Sequence, residues 1–482
     1  MSRFIKPSWC ALALVSFTGL SAVLHAQTPP QVPVVSLPDK LATTKKDDDK
    51  DDKDKKEDDK DKKDDKDKKD DDKDKWYSVH GQATTILQGN GFFRSPYEGE
   101  HSFRSLVNQR TSQTATLFLD TQVWSGGEFI INPEIAGGRG LSDVFGIAGF
   151  PNGEIPRVGD VAPTPYFARV FLRQTWGLGG EQEDIKAEEN VIEGKRDIRR
   201  FTLTLGKLAA NDIFDDNKYS HDTRTQFMNW AIMNNGAWDY PANTRGYTYG
   251  GAIEYNEKWW AIRYGVWGVP STANGPEIDP KFTQAFGQVA ELEYRYEFNN
   301  RPGAIRFMGY VNRANMGNYN QAIEEMPVDP VIANTRRYSY KAGFGINIEQ
   351  EVADNTGVFF RAGWNDGQNE SWAFTEIDQT ISGGVLFNGK TWGRSRDEFG
   401  VAGATNGISV PHHNYLGAGG LGFILGDGQI SYAPECIGEM YYSWGLSEHA
   451  FITGDYQFIL NPAYNGDRGP VNVFSVRVHI VF

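Results

Sequence analysis

Cysteine is nearly missing from this chain: there are two in 482 residues, Cys10 and Cys436. That excludes a disulfide-dense scaffold. Long apolar runs are missing too. Beyond residue 30 no stretch of about 20 apolar residues occurs, which excludes a polytopic helical membrane protein. Mean hydropathy is low, at -0.52. There is no basic excess: the formal net charge is -14, whereas a nucleic-acid partner requires a basic footprint. Enzyme signatures are absent, with no Gly-x-Ser-x-Gly, no His-Glu-x-x-His and no P-loop. His412-His413 reads as two adjacent strand residues facing opposite ways, with no further ligand cluster beside them. The oxygen-rich stretches 212–216 and 365–370 do not follow the 12-residue calcium-loop pattern. Neither a metal nor another cofactor is expected.

Glycine and aromatic residues are abundant. Glycine supplies 53 residues, against an average near 7%, and aromatics are 13% of the chain. Many short strands joined by turns use both.

The N-terminal 75 residues read as export and spacer segments. Arg3 and Lys6 precede a short apolar stretch from Cys10 to Leu20, and Leu24-His25-Ala26 is a cleavage context, so residues 1–26 are expected to be a signal peptide. Cys436 then stands alone, so no intramolecular disulfide is expected. Residues 27–44 are Pro-rich and polar. Residues 45–75 contain only Lys, Asp and Glu57, with 14 lysines and 17 acids. Such a tract has nothing to bury, so 27–75 is expected to be a disordered, hydrated leader. Its mixed charge makes it either a spacer or a tether to the peptidoglycan wall.

From Trp76 onward the apolar period is two. Phe474, Val476, Val478, Ile480 and Phe482 alternate with Ser475, Arg477 and His479. Leu292, Tyr294, Tyr296 and Phe298 alternate with Glu291, Glu293 and Arg295, and a turn at 299–303 leads to a second alternating run over 305–312. Further hairpins are expected at 114–134, 249–267 and 437–459. Short turns at one end and long Gly/Asn/Asp-rich loops at the other are the asymmetry of transmembrane barrels. The expected fold is therefore all-β: an antiparallel transmembrane β-barrel over 76–482. Sixteen strands fit the length, as do eighteen. An open sheet edge is not tolerated in lipid, so the sheet must close. An alternating last strand ending on Phe resembles the signal read by the outer-membrane barrel-assembly machinery, which makes that machinery and the outer-membrane lipid expected partners.

Ordered stretches across about 400 residues resemble the carbohydrate-selective porins of the OprB type. They include His80-Gly81-Gln82, Ser95-Pro96-Tyr97-Glu98-Gly99, Asn132-Pro133-Glu134, Gly149-Phe150-Pro151-Asn152-Gly153-Glu154 and Asp212-Ile213-Phe214-Asp215-Asp216-Asn217. Gln226-Phe227-Met228-Asn229-Trp230, Gly236-Ala237-Trp238-Asp239-Tyr240-Pro241, Arg361-Ala362-Gly363-Trp364-Asn365-Asp366-Gly367 and Trp392-Gly393-Arg394 follow. The resemblance implies a sixteen-stranded outer-membrane channel through which mono- or small oligosaccharides diffuse passively into the periplasm. The Lys/Asp tract is a departure from it.

A sugar pore needs aromatic planes for the flat ring faces and charged groups for the hydroxyls, bound weakly enough to be released. Strand alternation points Asp120 and Gln122, Arg169 and Arg173, Arg361 with Trp364, and Arg477 with His479 at the lumen. The insert from Asn211 to Pro241 is expected to fold into it, bringing Asp212, Asp215, Asp216, Asn229, Trp230, Trp238 and Asp239. The matched stretches add Glu134, Asp366 and Arg394 to this pore-lining set. Two other functions compete: an outer-membrane barrel enzyme acting on lipid or glycan, and a secreted β-rich glycan-binding protein.

Overall fold

Alternation assigns each strand of this chain a wet face and an apolar face, and the computed structural model shows what the two faces meet. It describes residues 75–154 and 161–482. The signal peptide and all of the leader but Lys75 lie outside the described residues. In chain order the strands are β1 (Tyr77–Asn90), β2 (Asn108–Trp124), β3 (Gly127–Gly138), β4 (Thr164–Gly177), β5 (Gln182–Ile185), β6 (Gly194–Asp197), β7 (Arg200–Leu208), β8 (Thr248–Asn256) and β9 (Trp260–Trp267). Then come β10 (Phe286–Phe298), β11 (Arg301–Met316), β12 (Arg337–Ala353), β13 (Thr356–Asn365), β14 (Gln379–Asn388), β15 (Glu398–Gly407), β16 (Glu435–Gly445), β17 (Ala450–Leu460) and β18 (Val471–Val481). All but β5 and β6 pair antiparallel with their neighbours in one closed barrel of sixteen strands. β5 and β6 form a separate two-stranded hairpin.

Closure is made by β1 and β18, paired from Gln82 with Val481 to Asn90 with Val473. Gly81 and Phe482 exchange both backbone bonds, at 2.8 and 2.9 Å. The two faces of β18 follow the sequence pattern. Phe474 is 59% and Val476 48% exposed on the outside, whereas Arg477 and His479 are buried inside. On β10, Leu292 and Tyr294 point outward while Glu291 and Glu293 are buried. The barrel is thus turned inside out relative to a soluble core, with its apolar side chains outside. Trp76, Tyr77, Trp176, Trp259, Trp260 and Trp444 belt one rim, and Tyr249, Tyr340, Phe344 and Trp364 lie toward the other, all exposed.

Because the strand number is even, β1 begins and β18 ends on the same rim. That rim carries the short turns, such as 125–126, 299–300 and 354–355, and the opposite rim carries the long loops. One short-turn connection breaks the rule: residues 178–199, between β4 and β7, contain the β5–β6 hairpin. A bulge breaks strict alternation as well. Asn132 pairs with Arg169, but the next residue, Pro133, pairs with Phe167. Proline has no N–H for the ladder, and the skipped residue shifts the parity of β4.

His412 and His413 lie on a helix, α1 (Val410–Gly417), not on a strand. Ser409 caps it by accepting from the His412 N–H at 3.1 Å, and Pro411 suits its first turn.

Candidate functional site

Residues 209–247 connect β7 to β8 on the long-loop rim, and they turn inward. The reason is visible on the inner wall, whose charged side chains bond the loop's backbone. Glu439 on β16 accepts from the N–H groups of Met228 (2.5 Å) and Asn229 (3.1 Å). Glu291 on β10 accepts from the Asp215 N–H at 2.8 Å. Tyr310 on β11 donates to the Ala237 carbonyl at 2.7 Å. Arg361 on β13 donates to Asp215, Ser220 and Ile232. Arg477 on β18 donates to the carbonyls of Thr223, Thr225 and Gln226, each at 2.7 Å. The loop therefore crosses the lumen and is held on several sides. Gly345 and Gly363, register partners on β12 and β13, leave no room for a Cβ beside Asn235. A second inward segment, around residues 148–152, is held by Glu435, which accepts from the N–H groups of Ala148 (3.0 Å) and Gly149 (2.8 Å).

A cavity of about 800 Å³ opens against β2, β3 and β4. Its polar lining is a chain of ion pairs. Arg169 makes a two-pronged pair with Asp212, at 2.7 and 2.5 Å. Arg224, from the loop, reaches Glu154 at 2.8 Å and Glu134 at 3.0 Å. Glu134 also accepts from the hydroxyls of Tyr166, Thr116 and Tyr247. The bulge in β4 lets Tyr166 and Arg169 face the same cavity. The apolar lining includes Trp230 and Phe374, stacked at 5.0 Å, with Phe150 buried against Trp230 at 5.4 Å. The guanidinium of Arg169 lies 5.3 Å from the centre of the Tyr247 ring.

Residues 105–482 match the family described as carbohydrate-selective porin, OprB family. The chain belongs to that family. It is an outer-membrane sugar porin: a channel whose substrates are carbohydrates. Among solved structures, Pseudomonas putida OprB at high pH superposes with a TM-score of 0.63 at 16% identity, covering 84% of this chain and 94% of that one. The low-pH structure of the same protein gives a TM-score of 0.45 at 12% identity, covering 84% and 92%. DcaP of Acinetobacter baumannii gives 0.46 at 8% identity, covering 84% and 97%. No curated protein matches the chain. In a bacterial outer-membrane porin the short-turn rim faces the periplasm and the long-loop rim faces outward.

The residues expected from the sequence to line this porin divide into four groups. Glu134, Arg169, Arg173, Asp212 and Trp230 line the cavity together. Asp215, Asn229, Trp238, Asp239 and Arg361 are buried and fasten the inward loop. Asp239, for example, accepts from the N–H groups of Trp372 (3.0 Å) and Ala373 (2.9 Å), and its burial raises the carboxyl above the usual range against the pull of Lys341. Asp120 points inward but is buried against the wall near the periplasmic rim. The remaining three lie away from the cavity. Trp364 sits on the outer face against Phe344, because it has the opposite parity to Arg361. Asp366, at the outer rim, accepts from the Ala342 N–H at 2.9 Å. Arg394 is in a periplasmic turn, paired with Asp397 at 2.5 Å. The cavity also uses Tyr166, Arg224, Arg245 and Tyr247, which sequence reading did not single out. Arg224 lay within the loop expected in the lumen. Tyr166 was hidden by the bulge.

Proposed function

We propose that the cavity beside Arg169 is the sugar-contact site of the porin, and that mono- or small oligosaccharides pass it by passive diffusion. The observation that carries this is the paired-charge ring of Arg169, Asp212, Arg224 and Glu134 facing the Trp230–Phe374 stack across one cavity of about 800 Å³. Each sugar hydroxyl both donates and accepts, and such a ring offers acceptors and donors side by side. Charged partners make stronger hydrogen bonds than neutral ones. Here the charges already satisfy one another, so a sugar must share them and binds weakly enough to leave. The cavity lies within the roughly 300–1,000 Å³ range of small-molecule sites.

Planar-bilayer recording of sugar-induced current block tests this. Arg169→Ala and Glu134→Gln each remove a charge-assisted bond of roughly 1.5–3 kcal/mol. Sugar affinity is then expected to fall by about tenfold or more. Asp366→Ala and Arg394→Ala, remote from the cavity, leave the block unchanged. Equal block in all four variants overturns the assignment.

The N-terminal segments belong to the same reading. Residues 1–26 act as the export signal, the leader lies in the periplasm, residues 45–75 contact peptidoglycan, and Phe482 serves the barrel-assembly machinery. Two features support this: β1 starts on the short-turn rim, and the alternating strand β18 ends there. Protease added to intact cells is expected to leave 45–75 uncut; cleavage in that tract refutes the sidedness.

A further inference from the structure

The connection from β4 to β7 is unlike the others on its rim. The other turns there are 125–126, 257–259, 299–300, 354–355, 389–397 and 446–449; this one runs from 178 to 199 and includes a hairpin. Its tip does not hang into the periplasm. Asn190, in a left-handed conformation at φ 61°, accepts through Oδ1 from Asn132 Nδ2 at 2.7 Å and through its carbonyl from Arg173 at 3.0 Å. Asn132 lies five residues into β3 from the rim turn that starts it, so the tip reaches well up the barrel interior. Residues 188–191 line the same cavity as Arg169, Asp222 and Arg224. Glu188 and Glu189 are exposed to that cavity.

The hairpin is anchored along its length. Glu183 pairs with Arg200 at 2.7 Å, Glu193 with Lys75 at 2.9 Å and Glu181 with Lys258 at 3.1 Å. Asn256 donates to the Ile198 carbonyl at 2.7 Å. Inward residues near this rim, Asp120 and Ile130, are buried rather than wet, as a hairpin laid over the inner wall requires.

We propose that residues 178–199 form a second constriction, on the periplasmic side, in series with the loop constriction, and that Glu188 and Glu189 make it a charge filter at the exit. This rests on the porin reading above. A solute that has passed the Arg169 ring meets the tip before it reaches the periplasm. Two carboxyl groups in a narrow, partly desolvated passage favour cations and neutral solutes over anions once ionised, and burial together with Asp222 pushes the Glu189 carboxyl up to about 7. The sugar-contact ring and the exit filter adjoin in one cavity and differ in what they read. The first recognises hydroxyls, and the second selects by width and charge.

The test uses the full mature chain in planar bilayers and in sugar-swelling liposomes. In one variant residues 179–198 are replaced by a two-residue Asn-Gly turn. Conductance is expected to rise, by less than opening the loop constriction gives because resistances in series add, with heat-modifiable gel mobility retained. In a second variant, Glu188→Gln with Glu189→Gln, heat-modifiable mobility is retained, and above pH 7 the reversal potential in a KCl gradient shifts toward anion permeation. Unchanged conductance in the folded deletion variant, or an unchanged reversal potential in the glutamine pair, overturns the proposal. If the deletion variant does not fold, the glutamine pair decides alone. Wild-type channels that carry no sugar-blocked current would instead sink the sugar-contact reading, so the two failures are distinct.

Discussion

Arg361→Leu is expected to open the pore: conductance rises several-fold, and sugars lose their hold on the current. The Arg361 guanidinium is fully buried between β13 and the inward loop. Its Nε lies 3.2 Å from Asp215, Nη1 bonds the Ile232 carbonyl at 3.1 Å, and Nη2 bonds the carbonyls of Asp215 (3.2 Å) and Ser220 (2.6 Å). One side chain therefore gathers three separate points of the loop. Leucine leaves these carbonyls without that donor and the Asp215 carboxylate without its cation. Breaking a buried pair in this way costs about 3–5 kcal/mol. The sheet does not share the loss, because the β12–β13 and β13–β14 ladders are backbone bonds that leucine leaves in place. The loop is the element that can open locally while the barrel persists. The variant should keep its heat-modifiable mobility and lose its constriction. Wild-type conductance in a folded Arg361→Leu barrel would show that this anchor does not hold the loop. Arg477→Leu should act in the same direction, since Arg477 holds residues 223–226 from β18, five strands round the barrel from β13.

Those two arginines show how much of the constriction was legible beforehand. Alternation placed Arg361 and Arg477 on the wet face, and the wet face is where they lie. It gave no warning that both would be buried by a loop folded over them. The inward course of 211–241 was readable from its length and polarity between two clear strands. Its fastening was not, since it depends on Glu439, Glu291 and Tyr310, which are distant in sequence. Trp364 shows a different limit. It shares a motif with Arg361 but has the other parity, so it belongs to the outer belt. At Pro133 the missing N–H breaks the ladder, so counting by twos along β4 fails between Tyr166 and Arg169. The 178–199 hairpin left the weakest trace, because half of its residues are charged and it lacks an alternating apolar face. Its short strands are held in place by Arg173, Arg200 and Asn132 on neighbouring strands.

The outer face carries a prediction of comparable size. Val476 is the middle residue of β18, points outward and pairs across the closure with Leu87, which is equally exposed. In water an exposed valine-to-arginine change costs little, within about 0.5 kcal/mol. At the midplane of a bilayer the same change costs roughly 2–4 kcal/mol, and the penalty falls toward the interfaces. Val476→Arg should therefore lower the denaturant midpoint of the barrel folded in lipid vesicles, whereas Trp444→Arg, on the rim belt, should cost much less. The comparison isolates depth in lipid from the loss of an apolar side chain, because Trp444 is the larger residue and yet the cheaper replacement. Its neighbour Arg477 lies one residue away, with its guanidinium wholly inside the barrel. The chain thus already carries an arginine at this depth, on the face where its charge meets backbone carbonyls instead of acyl chains. Equal costs at 476 and 444 would mean that Val476 does not lie at the bilayer midplane.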